Sequence, residues 1–89
     1  MIRSEVVIRN RRGLHARAAA AFVRVAEGYK AEIQVRRSGI EAPGRSIMGL
    51  MLLAAAPGCA IEISATGEDA AEAIAALVQL VEAGFHEDE

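Results

Sequence analysis

Three segments of the chain alternate apolar and polar residues, which is the pattern of half-buried β-strands. Their apolar positions are Ile2, Val6 and Ile8 in the first, Ala31, Ile33 and Val35 in the second, and Ile61, Ile63 and Ala65 in the third. A shorter strand is predicted around Ile40, because the turn Arg37-Ser38-Gly39 separates that segment from the strand before it. Each strand has one apolar face, so we expect a single antiparallel sheet that is covered on one side only.

Two helices are predicted between these strands. The first runs from Ala16 to about Glu27, and Gly28 is expected to end it. Its apolar residues at helical spacing are Ala19, Phe22, Val23 and Ala26. The second helix is short and apolar almost all round, from Ile47 to about Leu53, and Ser46 is expected to be its N-cap.

A third helix is predicted after the last strand, where Thr66-Gly67-Glu68-Asp69 fits the S/T-x-x-D/E capping signature. One face of this helix carries the apolar residues Ala70, Ile74, Leu77, Val78, Val81 and Phe85. The order of elements is therefore β-α-β-β-α-β-α, which belongs to the α+β class. The pattern leaves the strand order open between the ferredoxin-like arrangement and another split-βαβ arrangement.

The length and the composition limit the kind of protein this can be. With 89 residues, the chain supports one small domain spanning 1–89, without the deep cleft of a two-domain enzyme. Its single cysteine, Cys59, excludes an intrachain disulfide and favours a reducing compartment. The longest apolar run, residues 47–56, is about half of a membrane span. We therefore expect a monomeric, soluble protein of the cytoplasm that does not insert into a membrane.

Charge is strongly segregated along the chain. Residues 1–46 hold all ten Lys and Arg and only four acidic residues, whereas residues 47–89 hold eight acidic residues and no basic one. Such a distribution favours an acidic partner or an anion at the basic half. The other interpretation is that each charge simply solvates its own surface.

The segment Asn10-Arg11-Arg12-Gly13-Leu14-His15-Ala16-Arg17 places a histidine at the start of the first helix. The first backbone N–H groups of a helix lack intrahelical partners and attract anions. The same field disfavours the imidazolium form, so His15 is expected to be neutral and nucleophilic, and Arg17 can contact phosphate oxygens. Together they indicate a transient phosphohistidine, unless His15 merely begins the helix and Arg17 is solvated. No metal or other cofactor is expected, because the second histidine, His86, lies in an acidic tail without further ligands at suitable spacing.

At this segment the chain resembles a known family. Gly13-Leu14-His15-Ala16-Arg17 is similar to the active-site motif of HPr, the histidine-containing phosphocarrier of the bacterial phosphotransferase system. Arg45-Ser46-Ile47-Met48-Gly49-Leu50-Met51 is similar to the second HPr signature, and the order of elements matches over nearly the whole chain. The resemblance implies an open-faced sandwich, in which a four-stranded antiparallel sheet carries three helices on one face. The family usually has Pro where this chain has Ala18.

The resemblance also implies a carrier rather than an enzyme. His15 would accept a phosphoryl group on Nδ1 from phosphorylated Enzyme I and pass it to an EIIA-type domain, while Arg17 would steady the phosphoryl group. Ser46 would be the target of an HPr kinase/phosphorylase. The resemblance does not separate the sugar-transport branch of the family from its nitrogen-related branch.

The second helix is also a candidate docking surface. A helix that is apolar on all faces cannot bury every side in so thin a protein, so some of its side chains are expected to be exposed. The candidates are Ile47, Met48 and Met51, which could otherwise belong to the core.

Two other functions remain open at this point. One is a regulator that acts only through phosphorylation of Ser46, which the histidine motif disfavours. The other is an α/β sandwich that binds RNA or a small ligand. Recognition of single-stranded RNA needs aromatic side chains on which bases stack, and the predicted strands contain none, so we expect no nucleic acid partner.

Overall fold

A four-stranded sheet and three helices make up the part of the chain that is described, residues 1–87 of a computed structural model. Asp88 and Glu89, two of the acidic residues of the second half, lie outside it. The strands are β1 (Ile2–Val7), β2 (Glu32–Arg37), β3 (Ile40–Pro43) and β4 (Ala60–Thr66), and the helices are α1 (Ala16–Ala26), α2 (Ile47–Leu52) and α3 (Ala70–Glu82). No helix among these residues is long and apolar enough to cross a lipid bilayer.

The strands are ordered β1-β4-β2-β3, and every neighbouring pair is antiparallel. In the register of the sheet, Val6 lies opposite Ile61 and Val35 lies opposite Ile63. The predicted α+β fold with an open-faced sandwich is confirmed, and this strand order answers the question that the hydrophobic pattern left open.

The core lies between one face of the sheet and the helices. The buried residues of the strands include Val6, Ile33, Val35, Ala42, Ile61, Ile63 and Ala65, and those of α1 include all four that the helical spacing predicts. Each large apolar side chain buried in this way stabilises the fold by about 1.5–3 kcal/mol. Ile2 is different, since it lies at the end of the edge strand β1 and remains 39% exposed.

The predicted turn between β2 and β3 is present and is tight. Ser38 has a φ of +51° and Gly39 a φ of +81°, so both central residues have positive φ, as in a type I′ turn. This geometry matches the right-handed twist of paired strands, which explains why a two-residue connection is sufficient between Arg37 and Ile40.

The start of α3 differs from the predicted capping signature. Thr66 pairs with Glu32 in the sheet, so it cannot cap the helix, and Asp69 is the N-cap residue. The Asp69 carboxylate does not bond the helix. It accepts hydrogen bonds from the backbone N–H groups of Lys30 and Ala31, both at 2.8 Å. The bond from Lys30 is the main cause that lowers the pKa of Asp69, and the two bonds join the chain before β2 to the start of α3.

The chain leaves the helical path after α3, which makes the predicted helical position of Phe85 wrong. Gly84–His86 forms a 3-10 turn in which φ is +65°, +58° and +59° at successive residues. Left-handed backbone at a non-glycine residue costs of the order of 1–3 kcal/mol. Burial of the Phe85 ring, which is only 6% exposed, offsets this strain. The turn reverses the chain, so residue 87 returns toward the start of α1.

Candidate functional site

Asn10–Gly13 forms the tight turn that leads into α1. The Gly13 N–H donates to the Asn10 carbonyl at 3.1 Å, and Asn10 Nδ2 donates to the Gly13 carbonyl at 2.8 Å. Gly13 has a φ of +67°, and a Cβ at this position would lie 2.4 Å from the Ala55 carbonyl oxygen. Only glycine adopts this positive φ readily and also leaves room for the Ala55 carbonyl. The Leu14 N–H donates to the same Ala55 carbonyl at 2.9 Å, so the turn is fixed against the chain that follows α2.

His15 is the N-cap residue of α1, as the motif predicts. Its backbone is extended, with φ −80° and ψ −179°, and its carbonyl accepts the N–H of Ala19 at 2.8 Å. The ring does not bond the N–H groups of the first turn, which leaves those donors available for an anion. Ala18 lies in the first turn of α1, and its side chain is buried in the core.

The His15 ring is held by a residue near the other end of the chain. Its Nε2 atom lies 2.5 Å from Oε2 of Glu87, and the side chains are only 18% and 11% exposed. The other carboxylate oxygen, Oε1, accepts a hydrogen bond from Nδ2 of Asn10 at 3.0 Å. Burial by itself raises the pKa of Glu87, but the hydrogen bonds from Asn10 and His15 and the nearby charge of Arg17 outweigh it and lower the pKa below its usual value.

Sequence reasoning did not find Glu87 or the role of Asn10. Glu87 lies 72 positions from His15, and no local pattern relates the two. The one available signal was the Gly in Ala83-Gly84-Phe85, which indicates an end to α3 before Phe85. Asn10 was interpreted as a turn residue only, although its side chain is 2% exposed and contacts both the turn and Glu87.

Arg17 lies exposed in the first turn of α1, at the edge of an open pocket of about 620 Å³. Four arginines line this pocket: Arg11, Arg12, Arg17 and Arg24. The structure thus brings basic residues of the first half of the chain together beside the start of α1. The electrostatic potential there favours an anion or an acidic surface.

Ser46 and the apolar side chains of α2 form the second candidate region. Ser46 is the N-cap, as predicted, and its Oγ accepts a hydrogen bond from the Gly49 N–H at 2.9 Å. Leu50 and Leu53 are fully buried beneath the helix. The exposed apolar residues are Ile47 (41%), Met48 (71%), Met51 (39%) and Leu52 (71%). The last of these was not predicted, because the position of the buried face could not be read from a helix that is apolar all round.

Ser46 and the His15 turn lie at opposite ends of α2. The chain after the helix, residues 54–57, lines a shallow pocket with His15 and Arg12. Ser46 precedes the first residue of the helix, and six helical residues span about 9 Å. The exposed apolar residues of α2 therefore lie between Ser46 and the His15 turn.

A model of the family described as "PTS HPr component phosphorylation site" matches residues 2–83. The chain belongs to the HPr family. It is therefore a phosphocarrier protein of the phosphotransferase system, which supports the first of the three functions that the sequence left open. The match spans both motifs, the His15 segment and the Ser46 segment.

Relatives and a solved structure agree with this family assignment. The phosphocarrier protein HPr of Neisseria meningitidis serogroup A is 44% identical over 89 residues, covering 100% of both chains. The phosphocarrier protein NPr of Escherichia coli K12 is 39% identical over 88 residues, 98% of each. The crystal structure of HPr-C-His from Thermoanaerobacter tengcongensis is 40% identical, with a TM-score of 0.94 over 100% of both chains.

The close approach at Gly13 can be tested against a matched glycine. Gly39 also has a positive φ, but a Cβ there would meet nothing within 4 Å. We expect Gly39→Ala to lower the free energy of unfolding by about 1 kcal/mol from backbone strain alone. Gly13→Ala should lower it by at least about 2 kcal/mol, because the clash with Ala55 adds to the strain. Denaturant unfolding measures both, and equal losses would contradict the clash.

Proposed function

We propose that His15 accepts a phosphoryl group on Nδ1 from phosphorylated Enzyme I and passes it to an EIIA-type domain. The observation that carries this proposal is the position of the ring at the N-terminus of α1, where it does not bond the helix N–H groups. A phosphoryl group on the ring would meet those donors, and their partial positive charge favours an anion.

Arg17 supports the same step from the first turn of α1. Its side chain is exposed and belongs to the basic pocket, so its guanidinium can donate to phosphoryl oxygens as they arrive. Phosphoryl transfer depends mainly on positioning and on charge stabilisation, and the partner enzymes can supply much of both. The chain would then act as a carrier that is itself phosphorylated, and not as a catalyst.

The exposed surface around His15 is the proposed docking site for both partners. Ile47, Met48, Met51 and Leu52 offer an apolar contact, and flexible Met side chains suit a surface that meets more than one protein. The arginine-lined pocket at the start of α1 would attract acidic partner surfaces and raise the rate of encounter. Enzyme I and an EIIA-type domain would use this surface in turn, in the cytoplasm.

Replacing His15 tests the proposed function directly. His15→Ala should abolish labelling from phosphoenolpyruvate and Enzyme I, because it removes the nucleophile, while the fold remains intact by circular dichroism. The matched control is His86→Ala, which removes the other histidine and should keep acid-labile label. Appreciable acid-labile phosphate on the His15→Ala protein would contradict the assignment.

We also propose that Ser46 is a regulatory phosphorylation site for an HPr kinase/phosphorylase. Ser46 lies at the end of the exposed apolar residues of α2, so a phosphate there would add about −1.5 to −2 charges beside the docking site. That charge would repel an acidic partner surface that is attracted by the basic pocket. No change of fold is required for this effect.

Charge and capping at residue 46 can be separated with two substitutions. Ser46→Asp and Ser46→Asn both keep a side chain that can cap α2, but only the first adds a negative charge. We expect Ser46→Asp to slow phosphorylation of His15 by limiting Enzyme I about tenfold, with a larger effect at low ionic strength. The Ser46→Asn protein should be phosphorylated on His15 at nearly the rate of the native protein. Equal rates for the two variants at low salt would leave Ser46 as a helix cap only.

A further inference from the structure

We propose that Glu87 is a positioning residue for His15: it accepts the proton of Nε2 and thereby keeps the lone pair on Nδ1. This inference rests on the proposed function, since it names the residue that prepares the nucleophile. Glu87 lies beyond residues 2–83, the range that the family model matches.

The contact determines which ring nitrogen carries the proton. An ionised carboxylate only accepts hydrogen bonds, so a ring nitrogen that lies 2.5 Å from it must be the donor. In the neutral ring the proton is then on Nε2, and Nδ1 has the lone pair. A histidine whose second nitrogen donates to a carboxylate is fixed in both tautomer and orientation.

Asn10 holds the carboxylate in this orientation. Its Nδ2 group has two hydrogens, one for the Gly13 carbonyl at 2.8 Å and one for Oε1 of Glu87 at 3.0 Å. Oε1 is thereby occupied, and Oε2 lies at the ring. Asn10 Oδ1 has no hydrogen-bond partner among residues 1–87, so the amide orientation follows entirely from what Nδ2 donates.

The backbone of the C-terminal turn places Glu87 at this position. Phe85 is anchored in the core, and Gly84 packs against Asn10, where a Cβ on residue 84 would lie 3.6 Å from Asn10 Cβ. Glu87 is two residues beyond the anchor, and its N–H donates to the Gly84 carbonyl at 3.2 Å. The strained backbone of this turn therefore determines where the Glu87 carboxylate lies.

The transfer step is consistent with a proton that stays in place. The Nδ1 lone pair forms the new N–P bond, while the bond between phosphorus and the donor atom of phosphorylated Enzyme I breaks and its electron pair leaves with the donor. The Nε2 proton remains between the ring and Glu87 throughout. The phosphorylated ring is positively charged, and the carboxylate stabilises that charge from the side opposite the phosphoryl group.

Glu87→Gln gives an unusual prediction because of Asn10. The Asn10 amide requires an oxygen at the Oε1 position, so the NH₂ group of the new glutamine would lie at the His15 ring. It would donate to Nε2 and move the ring proton to Nδ1. Glu87→Ala instead frees the ring, which would populate both tautomers. Glu87→Gln is the more conservative substitution, yet we expect it to slow phosphorylation of His15 more than Glu87→Ala does.

Two measurements test this on the intact chain. Long-range ¹H–¹⁵N spectra of the unphosphorylated protein report the tautomer of neutral His15 without any partner. We expect the Nε2–H form in the native protein, a mixture in Glu87→Ala and the Nδ1–H form in Glu87→Gln. Phosphorylation by limiting Enzyme I should slow about tenfold or more in Glu87→Gln and by less in Glu87→Ala. Glu82→Gln, which alters an exposed carboxylate at the end of α3, should match the native protein in both measurements.

An unchanged tautomer in Glu87→Gln would overturn the inference, and so would a changed tautomer with an unchanged rate. A native protein that Enzyme I does not label would overturn the proposed function instead. The ring spectra would still decide whether Glu87 sets the tautomer, so the two failures can be told apart.

Discussion

The backbone of Gly13 lies so close to the Ala55 carbonyl oxygen that no side chain fits between them. The same oxygen accepts the Leu14 N–H, so two consecutive residues are fixed against the chain after α2. This contact determines where α1 begins, and with it the position of His15. It also places the chain that follows α2, residues 54–57, next to the histidine. The position of His15 and the start of α1 thus both depend on one close packing contact.

Segments that are distant in sequence meet at the same point. Glu87 contacts the His15 ring directly, and the Asn10 side chain joins Glu87 to the turn at residues 10–13. The helix N-terminus favours an anion near the ring, and Glu87 lies on the other ring nitrogen. The Nε2 side of the ring therefore faces a carboxylate, while the residue as a whole lies at the positive end of α1.

Much of the fold could be predicted, because alternation and helical spacing are local signals. The buried residues Ile33, Val35 and Ile61 follow directly from their strands, and His15 follows from a turn and a helix start that are contiguous in sequence. The predictions were wrong at positions where tertiary contacts determine the local structure. The Asp69 carboxylate accepts hydrogen bonds from the chain before β2 and not from its own helix. Thr66 pairs with Glu32 in the sheet and therefore does not cap α3.

The contact between Glu87 and His15 could not be predicted for a related reason. It depends on the left-handed turn at Phe85, whose strain is offset by burial that only the assembled core provides. A helical pattern that extends to Phe85 points residue 87 along the helix axis, away from the start of α1. Leu52 was missed because an all-apolar helix shows its exposed side only once it is packed.

The proposed function requires that Nδ1 of His15 carries the phosphoryl group. It is tested most directly by long-range ¹H–¹⁵N and ³¹P spectra of the protein after phosphorylation with phosphoenolpyruvate and Enzyme I. We expect a single phosphoryl group on Nδ1 of His15, with Nε2 still protonated and next to Glu87. A phosphoryl group on Nε2, or on any other residue, would contradict it.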